Sequence, residues 1–147
     1  MENILRISDA ASLALHTMVL LAATQDEVVS NKDIANTLRA SEAHLSKVLQ
    51  RLAKAGLVKS TRGPHGGFRI AKEPSEITLL DIYEAIEGPL ISSSCLLVSP
   101  VCIDNKCILG SLLKTMNGRI RQQLAGTRLA KLAGTICVSG KIGGFNA

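Results

Sequence analysis

The sequence predicts a mainly α-helical fold carrying one small β-hairpin, and three features of its 147 residues predict it. Apolar positions recur at helical spacing in six segments, most of them opened by a capping residue. The only aromatics are Phe68, Tyr83 and Phe145, so the core is aliphatic, which suits packed helices better than a sheet sandwich. One stretch, "LVKSTRGPHGGFRIAK", places β-prone runs on either side of a Pro-Gly-Gly tip. A chain of this length holds one compact domain, or a small domain with an appended element.

The first helix is expected from about Ser8 to Ala23, with Ser8 or Asp9 as its cap. Its run "LALHTMVLLAA" is too short to cross a bilayer, and Glu2 and Asp9 precede it where an export signal would be basic. It reads as a buried helix in a cytoplasmic protein. "SNKDIANTLRA" predicts a second helix capped by Ser30, with Ile34 and Leu38 four apart. A third follows from Ser41, with Leu45, Val48, Leu49 and Leu52 on one face and Gly56 as its stop. After the hairpin, Thr78 caps a helix bearing Leu79, Leu80, Ile82 and Ile86, which Gly88-Pro89 ends. Ile108 to Ala125 predicts a long helix with a narrow stripe of Ile108, Leu112, Leu113, Met116, Ile120 and Leu124. Such a helix projecting from a small domain pairs with a copy of itself. "TRLAKLAG" predicts one short helix, and the small-residue tail beyond it poor order.

Charge separates the chain into two parts. Residues 31–72 hold nine Lys and Arg against Asp33 and Glu42, a balance of +7, whereas the whole chain carries +5. A basic segment of this kind meets a polyanion, and nucleic acid ranks ahead of a membrane surface because no basic helix carries large apolar anchors. Two helices joined by a short turn, the second bearing Lys47, Arg51 and Lys54, form a helix-turn-helix pattern. Two surface helices of an unrelated bundle would look similar. The hairpin directly after the second helix decides for a winged helix: Gly66 and Gly67 would let the backbone approach a phosphate, and Arg62 and His65 would reach a minor groove.

Three of the four cysteines fall within "CLLVSPVCIDNKC", residues 95–107. In a reducing compartment such clustering suggests metal or redox chemistry over structural disulfides. Spacing alone leaves a metal or cluster site, a structural zinc site completed by His16, and a thiol switch all open. Lys106 is the one cation beside the thiols. An enzyme finds no support: the chain has no phosphate-cradling glycine loop, only three histidines, and no nucleophile–base set in a workable arrangement.

The stretch "AHLSKVLQRLAKAGLVKSTRGPHGGFRIAKEPSEITLLDIYEAIEG", Ala43 to Gly88, resembles the Rrf-type family of bacterial winged-helix regulators. The likeness runs from about Ile7 to Ala133, and "RGPHGGF" and "EITLLDIYEAIEG" are its most specific parts. It implies a homodimer on double-stranded operator DNA, with a long dimerisation helix and, in many members, an iron–sulfur cluster held by three cysteines in the loop before it. Cys95, Cys102 and Cys107 occupy that place, so the implied cofactor is a [2Fe–2S] or [4Fe–4S] cluster. The family spaces these cysteines with five residues in each gap; here the gaps are six and four. Of the family's usual fourth ligands, one position is Gly110 and the other Ser12, neither of which suits. His16 from the partner chain, Asp9, and Cys137 if the tail folds back are the remaining candidates. Carried over position by position, Ser41, Ala43, His44, Ser46 and Lys47 match the start of the recognition helix, and Arg62, Pro64, His65 and Gly66 match the wing. Arg51 joins Lys47 as a phosphate-positioning candidate.

The expected organisation is a winged helix-turn-helix domain over 1–88, a sensor loop over 89–107, a dimerisation helix and short helix over 108–134, and a tail over 135–147. The expected function is a dimeric transcription regulator whose DNA affinity follows cluster state, with a cluster-free thiol switch or zinc-containing regulator as the alternative. Neither a membrane nor a small-molecule substrate is implied.

Overall fold

Ser8 opens the first helix, its hydroxyl accepting the Ala11 N–H at 3.1 Å. In the computed structural model, which describes residues 7–25, 27–91, 93, 95–103 and 106–136, helix α1 (Asp9–Ala23) is the centre of the fold. Ala11, Ala14 and the run from Thr17 to Ala22 are buried. Helix α1 is apolar nearly all round because it packs against every neighbouring helix of the domain.

Helices α2 (Asn31–Leu38) and α3 (Glu42–Lys54) start at Ser30 and Ser41, whose side chains accept the N–H of the residue three positions on. Leu45, Val48, Leu49 and Leu52 face inward from α3, as their spacing requires. Strands β1 (Val58–Thr61) and β2 (Gly67–Ile70) pair antiparallel, with Val58 opposite Ile70 and Lys59 opposite Arg69. Helix α4 (Leu79–Glu87) begins with a capping box between Thr78 and Asp81 and ends at Gly88, where φ is +80°. The order of elements is a winged helix-turn-helix followed by an appended helix.

Two features depart from expectation. Helix α5 (Leu112–Gly126) begins four residues later than its apolar stripe does, because residues 108–111 form a turn with Gly110 at φ +58°. The short helix after it is a 3₁₀ turn (Leu129–Leu132) that belongs to the winged-helix body. Leu129 is completely buried there, and its N–H donates to Ile77 O at 2.8 Å while Leu79 N–H donates to Thr127 O at 3.1 Å. The chain leaves the domain along α5 and is clamped back onto it immediately afterwards.

The wing glycines have an internal reason to be glycine. Val29 and Phe68 exchange two backbone hydrogen bonds of 2.9 and 2.8 Å, which adds a third short rung to the hairpin. A Cβ on Gly67 would stand 2.2 Å from the Val29 oxygen, and one on Gly66 would stand 2.4 Å from the Thr61 oxygen. The close approach that demands glycine is thus to the protein's own backbone. Gly67→Ala is expected to destabilise the fold by about 1–3 kcal/mol, the usual range for overpacking. A lowered urea midpoint at unchanged slope checks this.

Candidate nucleic-acid interface and cysteine loop

With Leu45, Val48, Leu49 and Leu52 committed to the core, the opposite face of α3 is left to solvent. Ser41, Ala43, His44, Lys47 and Arg51 are all exposed along it. At the wing, Arg62, Pro64 and His65 are exposed, and the tip is closed by the Gly66 N–H donating to Gly63 O at 2.9 Å. Arg62 follows the last residue of β1, so the rigid strand fixes its Cα while its side chain stays free. Among the described residues neither it nor Lys47 forms a salt bridge. A row of unpaired cations on a helix, beside a projecting basic hairpin, can neutralise phosphates of two neighbouring backbone stretches.

Two candidate contacts are occupied otherwise. Ser46 is half-buried, and its Oγ accepts from Asn31 Nδ2 at 3.2 Å. The same amide donates to Glu42 O at 3.3 Å, so Asn31 ties the start of α2 to the start of the recognition helix. Arg51 Nη1 donates to Ile86 O at 3.4 Å, at the end of α4. Position in sequence could not reveal either bond, since both partners lie on other elements.

Sequence reasoning also passed over Arg39. It ends α2 with φ at +54°, a left-handed conformation in which glycine would be the low-strain choice. An arginine kept there is exposed in the turn between the two reading helices. The signal for it was available: a helix end with a charged residue where glycine was expected.

The cysteine loop presents a different surface. Cys95 and Cys107 are half-buried, Cys102 is exposed, and all three are free thiols. Leu97 N–H points at Cys95 Sγ over 3.4 Å. Among the described residues no three His, Cys, Asp or Glu groups stand close enough to hold one metal ion within a single chain. That includes Cys95, Cys102 and Cys107, which the structure does not gather at one metal position, although thiolate is a ligand type that iron accepts. Cys137 lies outside the described residues.

On α1, His16 is exposed and its Nδ1 lies 2.6 Å from Ser12 O. A carbonyl can only accept, so Nδ1 carries a proton, and in the neutral ring Nε2 is then the nitrogen with the free lone pair. His16 lines a cleft of about 450 Å³ together with Asp9, Arg39 and His44. Both candidate fourth ligands on α1 thus share one cleft, beside the recognition helix. They do not share it with the described cysteines of their own chain.

Comparison with known proteins decides what this architecture is. The model of the Rrf2 family, described as an iron-dependent transcriptional regulator, matches residues 7–135. The chain belongs to the Rrf2 family. It is 34% identical over 128 residues to an HTH-type transcriptional regulator of Aquifex aeolicus, covering 85% of this chain and 89% of that one. Over 106 residues it is 33% identical to the transcriptional regulator NsrR of Geobacillus kaustophilus, with 67% and 72% covered. The structure of CymR, the global cysteine regulator of Bacillus subtilis, superposes with a TM-score of 0.76 at 34% identity, over 90% of this chain and 98% of that one. These Rrf2 relatives are regulators of transcription and not enzymes, and DNA-binding regulation is what they support for this chain.

Proposed function

We propose that this Rrf2 chain is a homodimeric regulator whose DNA affinity is set by an iron–sulfur cluster on Cys95, Cys102 and Cys107, completed from the partner chain. One observation carries the reading: the three free thiols lie on the segment joining the DNA-reading domain to a helix with no buried side chain. Residues 1–88 act as the reader, 89–107 as the sensor loop and 108–134 as the dimerisation helix and the short helix that returns to the reader, in a cytoplasmic protein. The family description as iron-dependent supports the cofactor. When bound, the cluster would supply a redox- or nitric-oxide-sensitive group held by the loop. Anaerobic purification followed by iron, acid-labile sulfide and absorption analysis tests this. Coloured protein with both elements is expected, and tight operator binding by colourless, iron-free protein sinks it.

The fourth ligand is assigned to His16 ahead of Asp9. The bond from Nδ1 to Ser12 O holds the imidazole in the tautomer whose Nε2 can bind a metal, whereas a carboxylate at Asp9 has no such preset orientation. His16→Ala is expected to change the visible spectrum and shorten cluster lifetime in air, and Asp9→Ala to leave both unchanged. If neither substitution has an effect, both residues are excluded.

Dimerisation follows from α5. Leu112 and Met116 are 54% and 45% exposed, one turn apart on the helix, with Ile108 before them at 84%. Apolar side chains in a row at this exposure need a partner, and a second copy also matches two half-sites on DNA. The double substitution Leu112→Glu, Met116→Glu is expected to halve the mass seen by light scattering and to abolish tight operator binding. An unchanged mass counts against the dimer through this helix.

A thiol switch without metal is the second reading, favoured by the exposure of Cys102 and the likeness to the cysteine regulator CymR. Here iron-free protein would form a disulfide or sulfenic acid on mild peroxide treatment, seen by mass spectrometry, with a parallel change in operator affinity.

A further inference from the structure

The segment leading to Cys95 is held by side chains from two helices at once. Glu84 on α4 accepts the Leu90 N–H at 2.9 Å, and Arg121 on α5 donates to the Leu90 oxygen at 3.0 Å. Arg121 also stands 3.8 Å from Glu84, the one salt bridge among the described residues. Both backbone groups of Leu90 are thereby fixed by a pair that bridges α4 and α5. One turn earlier on α5, Asn117 donates to the Ser93 oxygen at 2.9 Å. Ser93 Oγ in turn accepts the Cys95 N–H at 3.2 Å and donates to the Cys95 oxygen. At the other end, two residues beyond Glu84, the Ile86 oxygen accepts from Arg51 of the recognition helix at 3.4 Å.

These bonds are poorly explained by stability. The Arg121 and Glu84 side chains are 51% and 33% exposed, and an ion pair so open to solvent contributes little. Leu90 and Ser93 could satisfy their backbone groups with water. What the bonds do is set the register of the linker against the dimerisation helix.

We propose that Arg121, Asn117 and Glu84 are positioning residues that transmit the state of Cys95 to the recognition helix of the same subunit, with Arg51 as the last link. A change at Cys95 displaces Ser93 and its Asn117 bond, shifts Leu90 between Glu84 and Arg121, and moves the end of α4 on which Arg51 rests. Arg51 thus aligns α3 and does not neutralise a phosphate. The inference rests on the reading of the cysteine loop as a sensor, but not on what modifies the thiol.

The test needs no iron. In protein carrying Cys102→Ser, Cys107→Ser and Cys137→Ser, Cys95 is alkylated with N-ethylmaleimide. Affinity is then measured for a duplex selected from a random pool by the wild-type protein. Alkylation is expected to change the affinity by about 5–150-fold, the usual span of coupling between sites. Adding Arg121→Ala or Asn117→Ala should bring that ratio to within about twofold of one, while the unmodified affinity stays put and amide exchange at Leu90 rises. A ratio of one before any strap substitution overturns the proposal, as does a full ratio retained in both variants. For Arg51→Ala, the slope of log affinity against log salt should be unchanged; a fall of about 0.9 would make Arg51 a phosphate contact and remove the last link. Because iron and sulfide content is assayed separately, loss of the cluster reading leaves this result standing.

Discussion

Replacing any one of Cys95, Cys102 or Cys107 with alanine is expected to give colourless protein whose iron content falls at least about tenfold, since even outer-shell changes weaken metal sites by 10–100-fold. On the proposed cluster reading the effect is large, because a cluster needs four ligands and the loop would supply three of them. Among the described residues no three His, Cys, Asp or Glu groups are gathered at one point, so a cluster would have to draw the three thiols together. Operator affinity should shift in the same three variants by a common factor, within the 5–150-fold range typical of allosteric coupling. A common factor is the informative part, because a thiol switch would depend on the particular cysteine that reacts. Colourless wild-type protein with stoichiometric zinc would select a structural metal site, and colourless metal-free protein the thiol reading.

Arg62→Ala is expected to weaken operator binding by about 5–150-fold, the equivalent of roughly 1–3 kcal/mol for a well-placed arginine. Arg62 stands at the junction of β1 and the tip, exposed and without a salt-bridge partner among the described residues. The paired residue just before it, Thr61 opposite Gly67, anchors the chain at this point, so little ordering opposes the contact. In a minor groove its loss would be greatest on A-tract duplexes, where the groove is narrow and the potential most negative. As a phosphate contact it would weaken all duplexes alike and lower the salt slope by about 0.9. Titration by fluorescence anisotropy at several salt concentrations separates these cases, and binding within twofold of wild type would remove Arg62 from the interface.

The reach of the local sequence is clear in the caps. Ser8, Ser30, Ser41 and Thr78 each open the helix that their position announces, because a cap bonds only to backbone two or three residues away. The inward face of α3 and the hairpin were legible for the same reason: periodicity and turn chemistry act over a few residues. The start of α5 was not, since the stripe from Ile108 continues at helical spacing through a turn. Cysteine clustering and the excess of charge over residues 31–72 marked two candidate regions without showing what lies between them.

What lies between them is set by the tertiary structure. Ser46 and Lys47 are neighbours in sequence, yet the first is engaged by Asn31 and the second is free, because the facing element differs. Arg51 reads as one more cation on a basic helix until the end of α4 is brought against it. Gly67 reads as freedom at a turn until Val29 is found 2.2 Å from where its Cβ would be. Composition, spacing and caps determined the elements and the chemistry available to them, since those depend on near neighbours along the chain. Which side chains are left exposed, and which are engaged by another element, depended on contacts such as Arg51 with Ile86 and Arg121 with Glu84, between residues so far apart in sequence that no local pattern carries information.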